Sequence, residues 1–490
     1  MKRSFVELAV IFALAFALRF GLLEYRLGTN DKTPLEISPQ AIEYVNLGRA
    51  LLYRGEWSAP YFAARPPLMP LMIAGMYAIF GESQMAVAMV NVTLGALTAV
   101  MAYGVASCLA GDVRVARMAG VLVAIDPASI ANNINLQAEA LTNFCLAVSV
   151  FFLARLATRQ KVSDAVLAGL CLSLAMLARP TTLYLFVFCL PLSFVLLRLT
   201  PQRSGNVVPR WRWLWLYLAF AALPVLSIAG WSARNRHYMG EFTFSTVSDF
   251  NMLFYRAVSV ERWALGGKSD DVIRREFAVE VERRMGKPID PSRVDSGYFW
   301  MNIAPQEGQR VKVMRQMALE VFAAHPLWYV ATIPVGLYHM YAYTDTYGSP
   351  FVPELLYNLL LYAVSAWGAV VCWKQRDWPT LWIALTVIGY ITLATIISQT
   401  TGMDTRMRTS TTVAFAVLAA VGVAALFRPR RDGRGFVERP RLDEWKPERE
   451  TRSFSECAAH LQPSTVRLHD PSGNRKPQPG AARRSCSPRA

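Results

Sequence analysis

Runs of about twenty consecutive apolar residues decide what this chain can become. Two of the clearest cover residues 5–23 and 211–231. A helix rises about 1.5 Å per residue, so roughly 20 such residues cross the hydrocarbon of a bilayer. Further apolar runs fall near 66–82, 84–110, 116–132, 137–157, 163–178, 182–199, 326–344, 351–373, 378–398 and 409–427. Composition agrees: 18% of residues are charged and 53% hydrophobic, where a soluble domain carries about 25% charged residues. The pattern predicts an all-α, polytopic transmembrane helix bundle of about 10–12 crossings. Soluble enzymes, secreted disulfide scaffolds and DNA-binding regulators are excluded.

The formal charge of +16 divides unevenly. Residues 428–490 hold 13 Arg and 2 Lys against 8 Asp and Glu, a share of +7. The rest lies mostly in short loops, where Lys and Arg set topology by staying on the cytoplasmic side. The charge therefore implies no nucleic-acid partner. Five cysteines lie in apolar runs and two, Cys457 and Cys486, in the tail, with no spacing that suggests zinc ligands or a disulfide framework. The N-terminus starts Met1-Lys2-Arg3 and continues apolar, but Arg19 and Phe20 interrupt any small-residue cleavage site. It reads as a retained first span.

Clusters at Lys2/Arg3, Arg114/Arg117, Arg155/Arg159/Lys161, 198–212, Lys374/Arg376 and 428–431 are expected on the cytoplasmic side. Segments 25–65, 132–137, 179–181, 232–325, 345–350 and 399–408 then share the other side. Two apolar segments, 66–82 and 326–344, have both ends on that side, which suggests re-entrant or half-buried stretches. In the insert 25–65, apolar residues at 44, 47, 48, 51 and 52 share one helical face while Glu43, Asn46, Arg49 and Arg54 lie elsewhere, the pattern of an interfacial helix. The insert 232–325 contains a charged, helix-prone stretch at 269–285 and a short amphipathic one near 310–324. Residues 1–427 thus form a membrane module with two outer inserts. Residues 428–490, rich in Pro, Arg and Ser without periodicity, read as a disordered basic cytoplasmic tail.

Polar residues at the outer ends of the spans are the candidates for chemistry. Arg65-Pro66-Pro67 opens an apolar segment, and its guanidinium suits a lipid phosphate or, alternatively, anchors the helix by snorkelling. Glu139 starts a span, where a carboxylate is costly unless it is used or caps the helix. Arg179-Pro180, Arg234-Asn235, and Asp404, Arg406 and Arg408 lie at span ends on the outer side, where the arginines oppose the positive-inside trend. Arginines 65, 179, 234 and 406 on one side suggest an anionic ligand, most simply a lipid phosphate. The scattered histidines propose no metal site, and nothing supports nucleotide binding.

The motifs Tyr44-x-x-Leu47-x-Arg49-x-Leu51, Arg65-Pro66-Pro67-Leu68-x-Pro70-Leu71 and Phe80-Gly81-Glu82-Ser83 occur in that order. Asp126-Pro127, Glu139-x-Leu141, Leu177-Ala178-Arg179-Pro180, Trp231-x-x-Arg234-Asn235 and Arg406-x-Arg408 follow. In this order and spacing, over roughly residues 5–427, the chain resembles the GT-C polyprenyl-phosphate-sugar glycosyltransferases of the family 39 kind. That group includes protein O-mannosyltransferases and lipid A aminoarabinose transferases; the chain looks more like its Rgt-type bacterial members. The resemblance implies inverting transfer of one sugar from a polyprenyl-phosphate donor to an unidentified acceptor, on the outer face of a bacterial inner membrane.

It also implies an acidic residue in the first outer loop that serves as base or orients the acceptor. The family has Asp four residues before the position of Tyr44, and this chain has Gln40. The carboxylate is then left to Glu43, Glu36, Asp31 or Glu139, with Glu43 and Glu139 preferred. Arg65, Arg179, Arg234 and Arg406 would surround the donor phosphate, supported by Gln40, Tyr44, Asn235 and Asp404. A divalent cation is compatible with the resemblance, though no ligand motif is visible. The other class that fits these residues is a transporter, flippase or non-catalytic binder of a lipid-linked sugar.

Overall fold

A computed structural model describes residues 2–30, 33–36, 41–57, 64–199, 210–294, 308–344, 351–399 and 406–427. Asp31, Gln40, Asp404 and the tail 428–490 lie outside the described residues. The helices all belong to one unit, Met1–Arg434. No strand occurs among the described residues.

The helices run in order α1 (Lys2–Asn30), α2 (Ile42–Arg54), α3 (Leu68–Phe80), α4 (Gln84–Ala110), α5 (Val113–Ala124) and α6 (Pro127–Asn133). Next come α7 (Glu139–Arg159), α8 (Val162–Ala178), α9 (Leu185–Leu199) and α10 (Arg210–Met239). The second insert supplies α11 (Val247–Asn251), a π turn (Met252–Ala257), α12 (Val258–Leu265), α13 (Asp270–Arg284) and α14 (Gly308–Ala324). The chain ends with α15 (Pro326–Ala331), α16 (Ile333–Tyr341), α17 (Val352–Lys374), α18 (Trp378–Ser398), a 3-10 turn (Met407–Thr411) and α19 (Thr412–Leu426).

Seven helical stretches are long and apolar enough to cross a membrane, and eight if the pair α14 with α15–α16, bent by 97°, counts as one. Three shorter apolar helices, Leu68–Phe80, Val162–Ala178 and Pro180–Leu192, complete the apolar set. The expected ten to twelve crossings are reached only if at least two of these three also cross; all three would give eleven (eight plus three). Both segments with two outer ends, near 66–82 and 326–344, are among the short or bent ones.

Local chemistry sets the boundaries. Ser83 caps α4 by accepting from the Ala86 amide, and Gly111 ends it in the left-handed region at φ 67°. Asp112 caps α5 by accepting from the Arg114 amide. Where helices cross closely, the side chain disappears: a Cβ on Gly368 of α17 would stand 1.8 Å from the Leu418 carbonyl oxygen of α19. Such crossings gain dispersion contact that apolar bulk alone does not provide in lipid.

The interfacial helix of the first insert is α2, with Tyr44, Leu47 and Gly48 buried and Arg54 exposed. Glu43 departs from the amphipathic reading, because it is buried at 1% exposure rather than turned to water. The charged and amphipathic stretches of the second insert are α13 and α14. They enclose a small core of Phe250, Leu253, Phe254, Val281, Val311 and Met314, clamped outside by an Arg284–Glu320 pair at 2.8 Å.

A candidate active site at one end of the bundle

Four remote chain segments meet where α7 begins and α8 ends. Glu139, the first residue of α7, accepts from Arg179 at 2.7 Å. Arg179 is the last-turn cap of α8, in extended backbone forced by the following Pro180. From just ahead of the 3-10 turn, the Arg406 guanidinium comes within 3.7 Å of Glu139 and donates to Gln137 Oε1 at 3.0 Å. Arg179 also reaches the Met407 sulfur at 3.2 Å.

The first insert closes the other wall. Arg65, fixed ahead of Pro66-Pro67, donates to Glu43 at 2.6 Å, and its guanidinium lies 5.0 Å from the Tyr44 ring centroid. Burial raises the pKa of the Tyr44 phenol, with Glu139 and Glu43 adding to the effect and Arg65 opposing it. Burial opposes the charge of Arg65, but Tyr44, Glu43 and Glu139 outweigh it and raise its pKa. Two ion pairs, Glu43–Arg65 and Glu139–Arg179, thus share one buried electrostatic neighbourhood, with Arg406 as a third cation.

Of the residues expected here, Glu43, Tyr44, Arg65, Glu139, Arg179 and Arg406 are brought together. Arg234 is packed among rings: its guanidinium lies 4.8 Å from Trp231, 4.9 Å from Tyr238 and 5.8 Å from Trp57. Asn235 is fully buried and ties α10 to the following loop, donating to the carbonyls of Thr243 at 2.8 Å and Phe244 at 3.2 Å. That loop touches the site's edge, where Ser245 donates to the Ala64 carbonyl at 2.7 Å. Glu36 is exposed and accepts from the Thr33 amide of its own turn.

The sequence singles out Arg408, Asp126 and Arg19 but not their role as buried anchors behind the site. Arg408 is fully buried against Asp126 at 2.7 Å. Arg19 of α1 is fully buried too and donates to the Ala124 and Val123 carbonyls that end α5, at 3.0 and 3.2 Å. An arginine in mid-span was the available signal. Among the described residues no group of three or more His, Cys, Asp or Glu gathers in metal-binding proximity. Glu43 and Glu139 are each paired with arginine.

Among the described residues, then, an all-α bundle gathers buried carboxylates and arginines at one end. Residues 64–231, about a third of the chain, match the family model described as dolichyl-phosphate-mannose-protein mannosyltransferase. No curated protein matches the chain. The fold matches the oligosaccharyltransferase AglB of Archaeoglobus fulgidus, solved with an inhibitory peptide and a dolichol-phosphate, at a TM-score of 0.52 and 14% identity. That match covers 86% of this chain and 50% of that one, so the chain spans about half the archaeal protein's length. The apo form of the same protein matches equally, at 0.52, 14%, 86% and 50%. ArnT of Cupriavidus metallidurans, bound to undecaprenyl phosphate, matches at 0.37 with 15% identity, covering 86% of this chain and 78% of that one. The chain thus shares the fold of the archaeal oligosaccharyltransferase, and its residues 64–231 resemble the mannosyltransferase family model.

Proposed function

We propose that the protein transfers one monosaccharide from a polyprenyl-phosphate donor to a lipid, glycan or protein acceptor, with inversion, at the outer face of a bacterial inner membrane. The observation that carries this reading is the convergence of Glu43, Arg65, Glu139, Arg179 and Arg406 from distant segments at one membrane end. Buried charges are costly, and a cluster of them with no fold-wide need for it is best spent on an ionic ligand.

Glu43 accepts the proton of the acceptor hydroxyl as its oxygen attacks the anomeric carbon. The bond from that carbon to the phosphate oxygen breaks, and Arg65, Arg179 and Arg406 stabilise the departing lipid phosphate. Glu139 holds Arg179 and Arg406 in place between turnovers. The phosphate must draw arginines from carboxylates that hold them at 2.6 and 2.7 Å, so donor binding itself releases Glu43 to act as base. The archaeal structure of like fold, which holds a dolichol-phosphate, supports a lipid phosphate as ligand.

Purified protein incubated with radiolabelled polyprenyl-phosphate sugars and envelope extracts tests the reading. Label appearing in an acceptor, with loss from the lipid, is expected. Movement of intact lipid-linked sugar across vesicles without transfer would instead establish a carrier. Comparing envelope glycans by mass with and without the gene then identifies the acceptor.

A further inference from the structure

Arg406 and Arg408 lie two residues apart and serve opposite directions. A 3-10 helix has three residues per turn, so successive side chains point about 120° apart. Arg406, which caps the Met407–Thr411 turn, faces Gln137 and Glu139, and Met407 faces Arg179. Arg408 turns away into the bundle, with no exposed surface. It donates to both oxygens of Asp126, at 2.7 and 3.1 Å, to Asn358 at 2.5 Å and to Thr412 at 3.2 Å. Asp126 also accepts from Ser129 at 2.6 Å and Thr412 at 2.9 Å, and both Asp126 and Asn358 are fully buried.

The two ends of this bond belong to the two segments that build the site. Asp126 begins α6, whose continuation through 134–138 delivers Gln137 and Glu139. Asn91 of α4 holds that continuation by donating to the Asn135 and Gln137 carbonyls at 2.6 and 3.3 Å. Arg408 belongs to the turn that delivers Arg406. A second tie runs alongside, since Asn143 of α7 donates to Thr409 at 2.9 Å and accepts from Ser410 at 2.7 Å. Replacing a buried ion pair by apolar residues is often neutral or stabilising, so stability alone does not account for one. What this pair supplies is register between the carboxylate segment and the arginine turn.

We infer that Asp126 and Arg408 are positioning residues that set Arg406 against Glu139 for binding of the lipid phosphate, an inference that rests on the function proposed above. Asp126→Asn keeps the shape and removes the charge. It is compared with Arg406→Ala and with the double variant, by binding of undecaprenyl phosphate to purified protein. Each single change weakens binding about tenfold, and the double variant binds within roughly twofold of Arg406→Ala alone, because Asp126 acts through Arg406. Multiplying effects would overturn the inference, as would lowered thermal stability with affinity unchanged per folded molecule.

Hydrogen exchange on the same samples reads the geometry without ligand. Asp126→Asn is expected to raise exchange at 406–411 and 134–139 and leave 270–284 unchanged. If Asp126→Asn does not fold, Thr412→Val, which removes one bond to Asp126, carries the same cycle. If the wild type neither binds undecaprenyl phosphate nor transfers sugar, the functional reading falls. Unaltered exchange at 406–411 would then still overturn the positioning claim by itself.

Discussion

Single side chains carry the sharpest expectations. Arg179 pairs with buried Glu139, whereas Arg54 stands exposed at the end of α2. Loss of a charge-assisted hydrogen bond costs about 1.5–3 kcal/mol, so Arg179→Ala should lower transfer roughly 10- to 100-fold. Arg54→Ala should leave it within about twofold, matching the small effects of surface changes. Arg179→Lys should rescue in part, lacking the planar fork. Arg234→Ala should fall between the two, since its guanidinium packs among rings; steady-state transfer at equal protein level decides. Glu43→Gln carries the opposite sign in two assays. It should abolish transfer, yet tighten undecaprenyl phosphate binding by on the order of tenfold, about 1.4 kcal/mol, because Arg65 loses its competing partner. Weaker binding in that variant would show that Glu43 does not compete. From sequence, Arg65, Arg179 and Arg406 are legible because cations there oppose the charge rule. Arg408 falls into one group with Arg406, since one-dimensional spacing cannot tell which arginine of a pair turns inward.

At the scale of helices, periodicity locates most elements and misses what their faces touch. The interfacial α2 and the charged α13 fall within a few residues of their expected ranges. Spacing puts Glu43 away from the apolar face of α2, but Arg65 arrives from the next segment and allows it to be buried. Close crossings are invisible, because a glycine in an apolar run has no signature of its own. Gly368 and Gly389 make the contrast measurable. A Cβ on Gly368 would meet the Leu418 carbonyl, while nothing lies within 4 Å of one on Gly389. Overpacking costs about 1–3 kcal/mol or more, so Gly368→Ala should lower the melting temperature of the detergent-solubilised protein and Gly389→Ala should not. Equal effects would mean that the α17–α19 crossing is loosely packed.

Across the whole molecule, the alternation of helix ends is the governing feature. α7 starts, α8 ends and α19 is preceded at the site, whereas the Arg155–Asp164 pair, at 3.0 Å, joins the opposite ends of α7 and α8. Arg155 and Arg212, which donates to the Gln160 carbonyl, lie at that opposite end, so the site is expected to face outward. Ser269→Cys, at the N-cap of α13, should be labelled by an impermeant reagent in intact cells, and Ser485→Cys only after lysis. Labelling of Ser485→Cys from outside would reverse the orientation. Crossing number is the least legible property, because 13- to 17-residue apolar helices sit at the limit that distinguishes a span from a half-buried segment.

The charge of the site has a kinetic consequence. Among the described residues, Arg65, Arg179 and Arg406 against Glu43 and Glu139 sum to +1, three minus two. A sugar phosphodiester brings about one negative charge, and the released phosphomonoester approaches two. In the proposed reaction Glu43 gains a proton at that same moment, so the pocket rises to +2 as its guest becomes a dianion. Neutrality is kept on both sides of the chemical step, but attraction scales with the product of the charges, so the spent lipid is held more firmly than the donor was. Its departure then waits on Glu43 losing that proton to water, which couples lipid exchange to proton escape.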